Sequence, residues 1–390
     1  MKNVEYLVGS PDITDQPLAP YSDEAVEFAA QLSKNLMKSP WGRIYPDLSA
    51  LAFWCRKSRL LSLKENFMDA KKRLGRGLCF HIAPGNIPIN FAFSYLFGVM
   101  AGCSNIVRIS SKPYPQIKFV CEVVEDVLKE FPEIAERTAF IRYPAEDEIT
   151  KEFCKNADVR MIWGGDATIS KIRKMPGKPR CIDICFADRY SVCIIDGNAI
   201  QKAKESELFH LAEGFYNDTY FMDQNACSSE QIIFWINDRA DAREKFWNAV
   251  YQIVKEKYKL QAAVGMDKYT HIFEDILSGV PISRIKKETN FLYRVELSQL
   301  SGELTELRGK GGYFYEYALN NLEEIIPFIT DKFQTLAYFG IEPEQLQNFV
   351  IENRLRGIDR IVPVGKAMEI DILWDGFDLA TALSRIVDVR

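Results

Sequence analysis

The chain has 390 residues, 47% hydrophobic and 26% charged, with 22 Gly and 17 Pro; this excludes disorder and low-complexity structure and leaves room for two or three domains. Lys and Arg number 49 against 54 Asp and Glu, so a net charge of -5 offers no footprint for nucleic acid or an anionic membrane. Nine scattered cysteines without a CxxC, and three histidines with no Cys pair beside them, read as reduced thiols in a cytoplasmic protein and leave no metal site.

In chain order, the first seventy residues read as helical. Ser22-Asp-Glu opens an amphipathic stretch to about Met37, and a second runs from about Leu48 to Ala70. From Gly75 short β-branched runs alternate with helical patterns. Strands are expected over 77–83, 105–109, 138–142, 159–163 and 191–196, with helices near 89–102, 115–130, 146–156 and 167–174. Strand spacings of roughly 20 to 35 residues predict right-handed βαβ crossovers and a nucleotide-binding type of sheet. A second unit begins near Asn198: a helix to about Asn217, an irregular segment to Ser229, a strand over 231–236 and a charged helix over 238–259. Strands over 291–297, 313–319 and 334–339 follow, so the expected domains are 1–197 and 198–390. Residues 82–107 carry no Asp, Glu, Lys or Arg. Pro84, Asn86, Pro88 and Asn90 break the first third of that run and leave about fourteen helical residues, short of the roughly 20 of a bilayer span, so a buried helix is expected and no membrane span.

GxxxxGK[ST], GxSxG and HExxH are absent, which disfavours P-loop, nucleophile-elbow and zincin chemistry. Gly75-Arg-Gly77 lacks a third glycine and precedes its strand, so it is no dinucleotide fingerprint. In Phe80-His-Ile-Ala-Pro84-Gly85-Asn86-Ile-Pro88, a strand enters a turn that projects Asn86, and Pro88 opens the uncharged helix. Asn86 there either donates to a developing oxyanion or caps the helix. Asn105-Ile-Val-Arg108-Ile-Ser110-Ser111-Lys112 ends a strand in cations and hydroxyls, and 104–118 holds no acid; this suits a phosphorylated ribose, or is an ordinary basic strand end. Gly164-Gly165 lets backbone approach a pyrophosphate ahead of a helix, with Asp166 as a possible N-cap. Cys227, in Asp223-Gln-Asn-Ala-Cys-Ser-Ser-Glu230-Gln, is flanked by small residues, whereas the other eight cysteines lie in apolar or helical contexts. It is a nucleophile or a spectator thiol.

Taken together, the segments HIAPGNIPINFAFSYLFGVMAGCSNIVRISS, DVRMIWGGDATISKIR and DQNACSSEQIIFW, with RIVP and WDG near the end, resemble the LuxC-type fatty acyl-CoA reductases of the aldehyde dehydrogenase superfamily. The likeness spans about 75–390. It implies an aldehyde dehydrogenase-like α/β fold with two parallel-sheet domains, one for cofactor and one for catalysis. It also implies Cys227 as acyl-accepting nucleophile, Asn86 as oxyanion donor, Arg108, Ser110 and Ser111 on the adenosine ribose, and Gly164 and Gly165 near the pyrophosphate. Aldehyde dehydrogenases that hydrolyse their thioester carry a glutamate base where this chain reads Ile184-Cys-Phe-Ala-Asp188-Arg-Tyr190. Without that base a thioacyl-enzyme persists until hydride or another thiol arrives.

The activity so implied is NADPH-dependent reduction of an acyl-CoA or acyl-protein thioester to an aldehyde, by a homo-oligomer served by an acyl-activating partner enzyme. Two alternatives stand beside it: a cysteine acyltransferase or thioesterase using His210 or His81 as base, and a non-catalytic acyl-binding subunit.

Overall fold

The computed structural model describes residues 3–390. By contact the chain forms two units, one reaching to Ala187 and regaining Ile370–Arg390, the other Asp188–Glu369. Each is built on its own sheet.

The first unit runs β1 (Glu5–Gly9), α1 (Asp23–Lys38), α2 (Pro40–Ile44), α3 (Pro46–Trp54), α4 (Lys57–Asn66), β2 (Arg73–Gly75), β3 (Leu78–Ile82), α5 (Asn90–Met100) and β4 (Ser104–Arg108). It continues through α6 (Pro115–Leu128), α7 (Pro132–Ala135), β5 (Thr138–Arg142), α8 (Asp147–Asn156), β6 (Val159–Trp163), α9 (Asp166–Arg173) and β7 (Ile182–Phe186). The sheet order is β1-β5-β4-β3-β6-β7, parallel except for β1. Strand order reverses between β3 and β6, the switch point at which an open α/β sheet leaves a crevice beyond its carboxyl ends. α1 starts where Ser22 accepts from the Ala25 N–H, and it buries Ala25, Phe28, Ala29, Leu32 and Leu36, one helical face. Every residue of α5 is buried, so the uncharged run is a core helix between two buried strands. No helix of the described residues is long and apolar enough to cross a membrane.

The second unit runs β8 (Tyr190–Asp196), α10 (Gly197–Lys202), α11 (Glu205–Asp218), β9 (Glu230–Ile236), α12 (Ala240–Lys257), α13 (Ala262–Leu277), β10 (Ile282–Glu288), β11 (Leu292–Leu297), β12 (Tyr313–Ala318), β13 (Phe333–Phe339), α14 (Pro343–Glu352) and β14 (Arg360–Pro363). Its sheet is ordered β10-β11-β12-β9-β8-β13-β14, parallel except for the β10–β11 pair. Both faces are covered. Val192, Ile194, Ile232 and Phe234 enter one core, and the intervening Cys193, Ile195, Ile233 and Trp235 enter the other, the period of two that a doubly covered strand requires.

Three expectations need correction. The helical reading of the first seventy residues misses β1, in which only Val8 is buried, and the strand list misses β7, where Asp183 interrupts the apolar pattern to pair with Arg160 at 2.6 and 2.8 Å. The single break at 197 also differs from the observed division. β8 hydrogen-bonds to β9 and β13, so it belongs to the second sheet, and Ser384–Ile386 pairs with β2, which returns the end of the chain to the first unit.

Candidate active site

In the first unit, three of the singled-out segments leave the carboxyl ends of adjacent parallel strands: Asn86 follows β3, Arg108-Ile-Ser110-Ser111 closes β4, and Gly164-Gly165 follows β6. A methyl group at Gly85 would lie 3.3 Å from Ser110 Oγ, so the first two loops touch there. Ser110 Oγ accepts from the Lys112 N–H at 3.2 Å, while Ser111 is exposed. The Arg108 guanidinium lies 4.7 Å from the Tyr143 ring centroid, and its buried Nε has no hydrogen-bond partner among the described residues. Gly165, not Asp166, is the N-cap of α9; no side chain caps that end, and a Cβ at Gly165 would meet nothing within 4 Å. At this switch point an uncapped helix start and open glycine backbone leave N–H groups that can meet an anion.

The expected helix start is corrected. α5 opens at Asn90 with Ile89 as N-cap and no side-chain cap bond, because residues 85–89 form a turn that delays it past Pro88. Asn86 is exposed and caps nothing. Of its two readings, capping is removed.

Cys227 belongs to the second unit and stands at the amino ends of β8, β9 and β12, the opposite end of a sheet from the usual α/β crevice. Its loop is built by hydrogen bonds. The backbone turns left-handed at Asp223 and Gln224, with φ of 52° and 61°. Gln224, buried, donates from Nε2 to the carbonyls of Glu230 (3.2 Å) and Tyr313 (3.0 Å) and accepts at Oε1 from the N–H groups of Gly312 (3.0 Å) and Tyr313 (3.2 Å). Gly312, at φ 93°, has no room for a side chain: a Cβ there would lie 2.2 Å from the Phe291 carbonyl oxygen. Ser191 Oγ donates to the Cys227 carbonyl at 2.7 Å. Cys227 itself is partly exposed. Burial pushes every other thiol up, Cys103 to about 11 and Cys121 to about 12, so none of those eight is disposed to ionise.

His81 is fully buried: its Nε2–H donates to Asn105 Oδ1 at 3.0 Å, its Nδ1 accepts from the Ser94 hydroxyl at 2.8 Å, and burial holds it down at about 4. His271 is engaged by Glu274 and the Tyr315 hydroxyl, and His210 is exposed on α11. Asp188 is held by two bonds from Arg308, at 3.1 and 2.9 Å. No group of three metal-ligating side chains occurs among the described residues. Sequence reading missed Asp218 and Glu230, both fully buried behind the cysteine loop. The available signal was an acid opening the otherwise buried strand Glu-Gln-Ile-Ile-Phe-Trp.

A family model described as Acyl-CoA reductase (LuxC) matches residues 56–267, a range that includes Asn86, Arg108, Ser110, Ser111, Gly164, Gly165 and Cys227. The chain belongs to this family. Among curated relatives, this LuxC-family chain is 25% identical to the long-chain acyl-protein thioester reductase of Photorhabdus luminescens, over 74% of its own length and 58% of the relative's. It is also 25% identical to the enzyme of that name from Photorhabdus laumondii, over 80% of its length and 66% of the relative's. It thus spans about three-fifths to two-thirds of the relatives it matches. The fold is that of the aldehyde dehydrogenases: aldehyde dehydrogenase 21 of Physcomitrella patens superimposes with a TM-score of 0.64 at 11% identity, covering 95% of this chain and 86% of that one.

Proposed function

We propose that this LuxC-family chain reduces an acyl thioester to an aldehyde through a thioacyl intermediate on Cys227. The observation that carries the reading is the loop itself: Cys227 is partly exposed, Ser191 holds its carbonyl and Gln224 ties its loop to the strand ends, while burial raises the other eight thiols, Cys181 and Cys185 included. Cys227 Sγ attacks the acyl carbonyl carbon, and the Cys227 N–H receives the tetrahedral oxyanion; Asn86 is the further oxyanion donor that the family resemblance implies. Collapse breaks the bond to the departing thiol, of CoA or of an acyl carrier, and leaves the acyl group on Cys227. The exposed Asn86 side chain, free of any capping duty, supports its role.

NADPH is the cofactor we propose. Arg108, Ser110 and Ser111 would hold the adenosine ribose and its phosphate, and the backbone of Gly164 and Gly165 the pyrophosphate; the unpartnered Arg108 Nε and the uncapped start of α9 fit such a group. When bound, it supplies a hydride for release of the aldehyde. A cysteine hydrolase finds no support in the histidines, since His81 is buried with both ring nitrogens engaged. Assembly as a homo-oligomer, service by an acyl-activating partner and a cytoplasmic setting belong to the same proposal.

Intact-mass measurement after incubation with a panel of acyl-CoA and acyl-protein thioesters, without cofactor, tests the reading. One acyl group should appear on Cys227, and Cys227→Ala should abolish both label and aldehyde. A label on Cys103 or Cys185, or none with any donor, would overturn it.

A further inference from the structure

Behind the cysteine loop two acids meet in a place where neither reaches water. Asp218 ends α11, Glu230 begins β9, and each has no exposed surface. The Asp218 carboxylate accepts from the N–H groups of Gly365 at 2.5 Å and Ala367 at 3.0 Å, which ties the turn after β14 to the end of α11. Its main-chain carbonyl accepts from Ser229 Oγ at 2.7 Å, and Ser228 Oγ lies 3.4 Å from Met368 Sδ. The two residues that follow Cys227 are therefore held by the assembly that Asp218 organises.

Glu230 has a different environment. Apart from its own N–H, no N–H or O–H of the described residues reaches either of its oxygens, and its carboxyl faces that of Asp218. Two carboxyl groups in contact share one proton, since two buried like charges repel strongly. Asp218, receiving the N–H groups of Gly365 and Ala367, is the partner that bears charge; Glu230, with no backbone donor but its own, is the partner that bears the proton. The remaining ionisable groups facing the pair are Arg360 and the buried Cys193. Arg360 itself donates to the carbonyls of Ala367 (3.0 Å) and Glu369 (3.1 Å), so it holds the same turn from its other side.

We propose that protonated Glu230 donates a hydrogen bond to the Asp218 carboxylate, and that this pair is the positioning device that holds Cys227 ready for reaction. The proposal rests on the reading of Cys227 as nucleophile. Burial and the shared proton raise both groups, Asp218 to about 7 and Glu230 above its ordinary range. Losing the shared proton at alkaline pH sets two carboxylates against a single guanidinium, forces the 365–368 turn from residues 228–229, and adds negative charge near the thiolate.

The test is the rate of Cys227 alkylation by iodoacetamide, followed by peptide mass spectrometry from mildly acidic to alkaline pH. In the parent protein the rate should rise with thiolate and then fall. Glu230→Leu should lower it roughly tenfold, while Glu230→Gln, whose amide still donates to Asp218, should recover most of the loss and abolish the alkaline fall. Parent and Glu230→Gln profiles that superimpose would overturn the proposal. A variant-free arm uses the parent protein carrying carboxyl-labelled glutamate: its infrared spectrum at neutral pH should show the C=O stretch of a protonated, buried glutamic acid, and absence of that band would equally overturn it. Iodoacetamide needs no thioester, so failure of the proposed activity and failure of this inference are separately visible.

Discussion

Gln224 and Tyr313 exchange two hydrogen bonds, the Gln224 amide donating to the Tyr313 carbonyl at 3.0 Å and accepting from its N–H at 3.2 Å. A side chain thus occupies the place of a neighbouring strand at the amino end of β12, and it fixes the cysteine loop to the sheet. Gln224→Glu keeps the shape but removes the donor and presses a carboxylate on the carbonyls of Glu230 and Tyr313. It should destabilise the second unit by about 2–4 kcal/mol and slow alkylation of Cys227. Urea melting checks this; a variant as stable as its parent would mean the loop is held by something else.

Asn86 caps no helix, so its removal should leave melting temperature essentially unchanged. In the proposed role of oxyanion donor it would act on the transition state, so Asn86→Ala should lower kcat by about 10²–10³ and leave affinity for the proposed cofactor unchanged. Single-turnover acylation at the parental rate would remove Asn86 from the mechanism.

Arg108 presents a guanidinium with an unsatisfied Nε at the carboxyl end of β4. If that group meets a 2′-phosphate, charge-assisted contacts worth about 1.5–3 kcal/mol each should favour NADPH over NADH tenfold or more, and Arg108→Ala should erase most of the preference. Fluorescence titration with both cofactors reads the outcome directly, and equal affinities in the parent protein would contradict it.

His81 carries a pH signature unrelated to catalysis. Burial holds its imidazole neutral, with a value of about 4 against an ordinary 6.5. For a group depressed in this way the unfolded chain takes up the proton first, so stability is intact above pH 6.5 and declines as pH falls toward 4. The loss attributable to His81 should approach about 3 kcal/mol. His81→Gln, which does not titrate, should flatten this part of a pH series of urea melts; an unchanged slope would show that other groups dominate acid denaturation.

The sequence alone determined what depends on near neighbours along the chain. Val159-Arg-Met-Ile-Trp163 and Thr138-Ala-Phe-Ile-Arg142 form strands with the bounds their own β-branched and aromatic content predicts, and the acid-free strand end at Arg108 and the small-residue setting of Cys227 are local facts of composition. Tertiary structure decided whatever depends on groups far apart in sequence. β1 is a strand only because β5 offers it an edge, and the end of the chain returns to the first unit because Ser384–Ile386 pairs with β2. Asn86 stops being a helix cap because the turn before α5 runs to Ile89. Asp218 meets the N–H groups of Gly365 and Ala367 across some 150 residues, and only that burial turns an acid at the start of a strand into a proton-sharing partner. Local propensity is written in short windows, whereas desolvation and charge pairing depend on which distant groups the fold packs against one another.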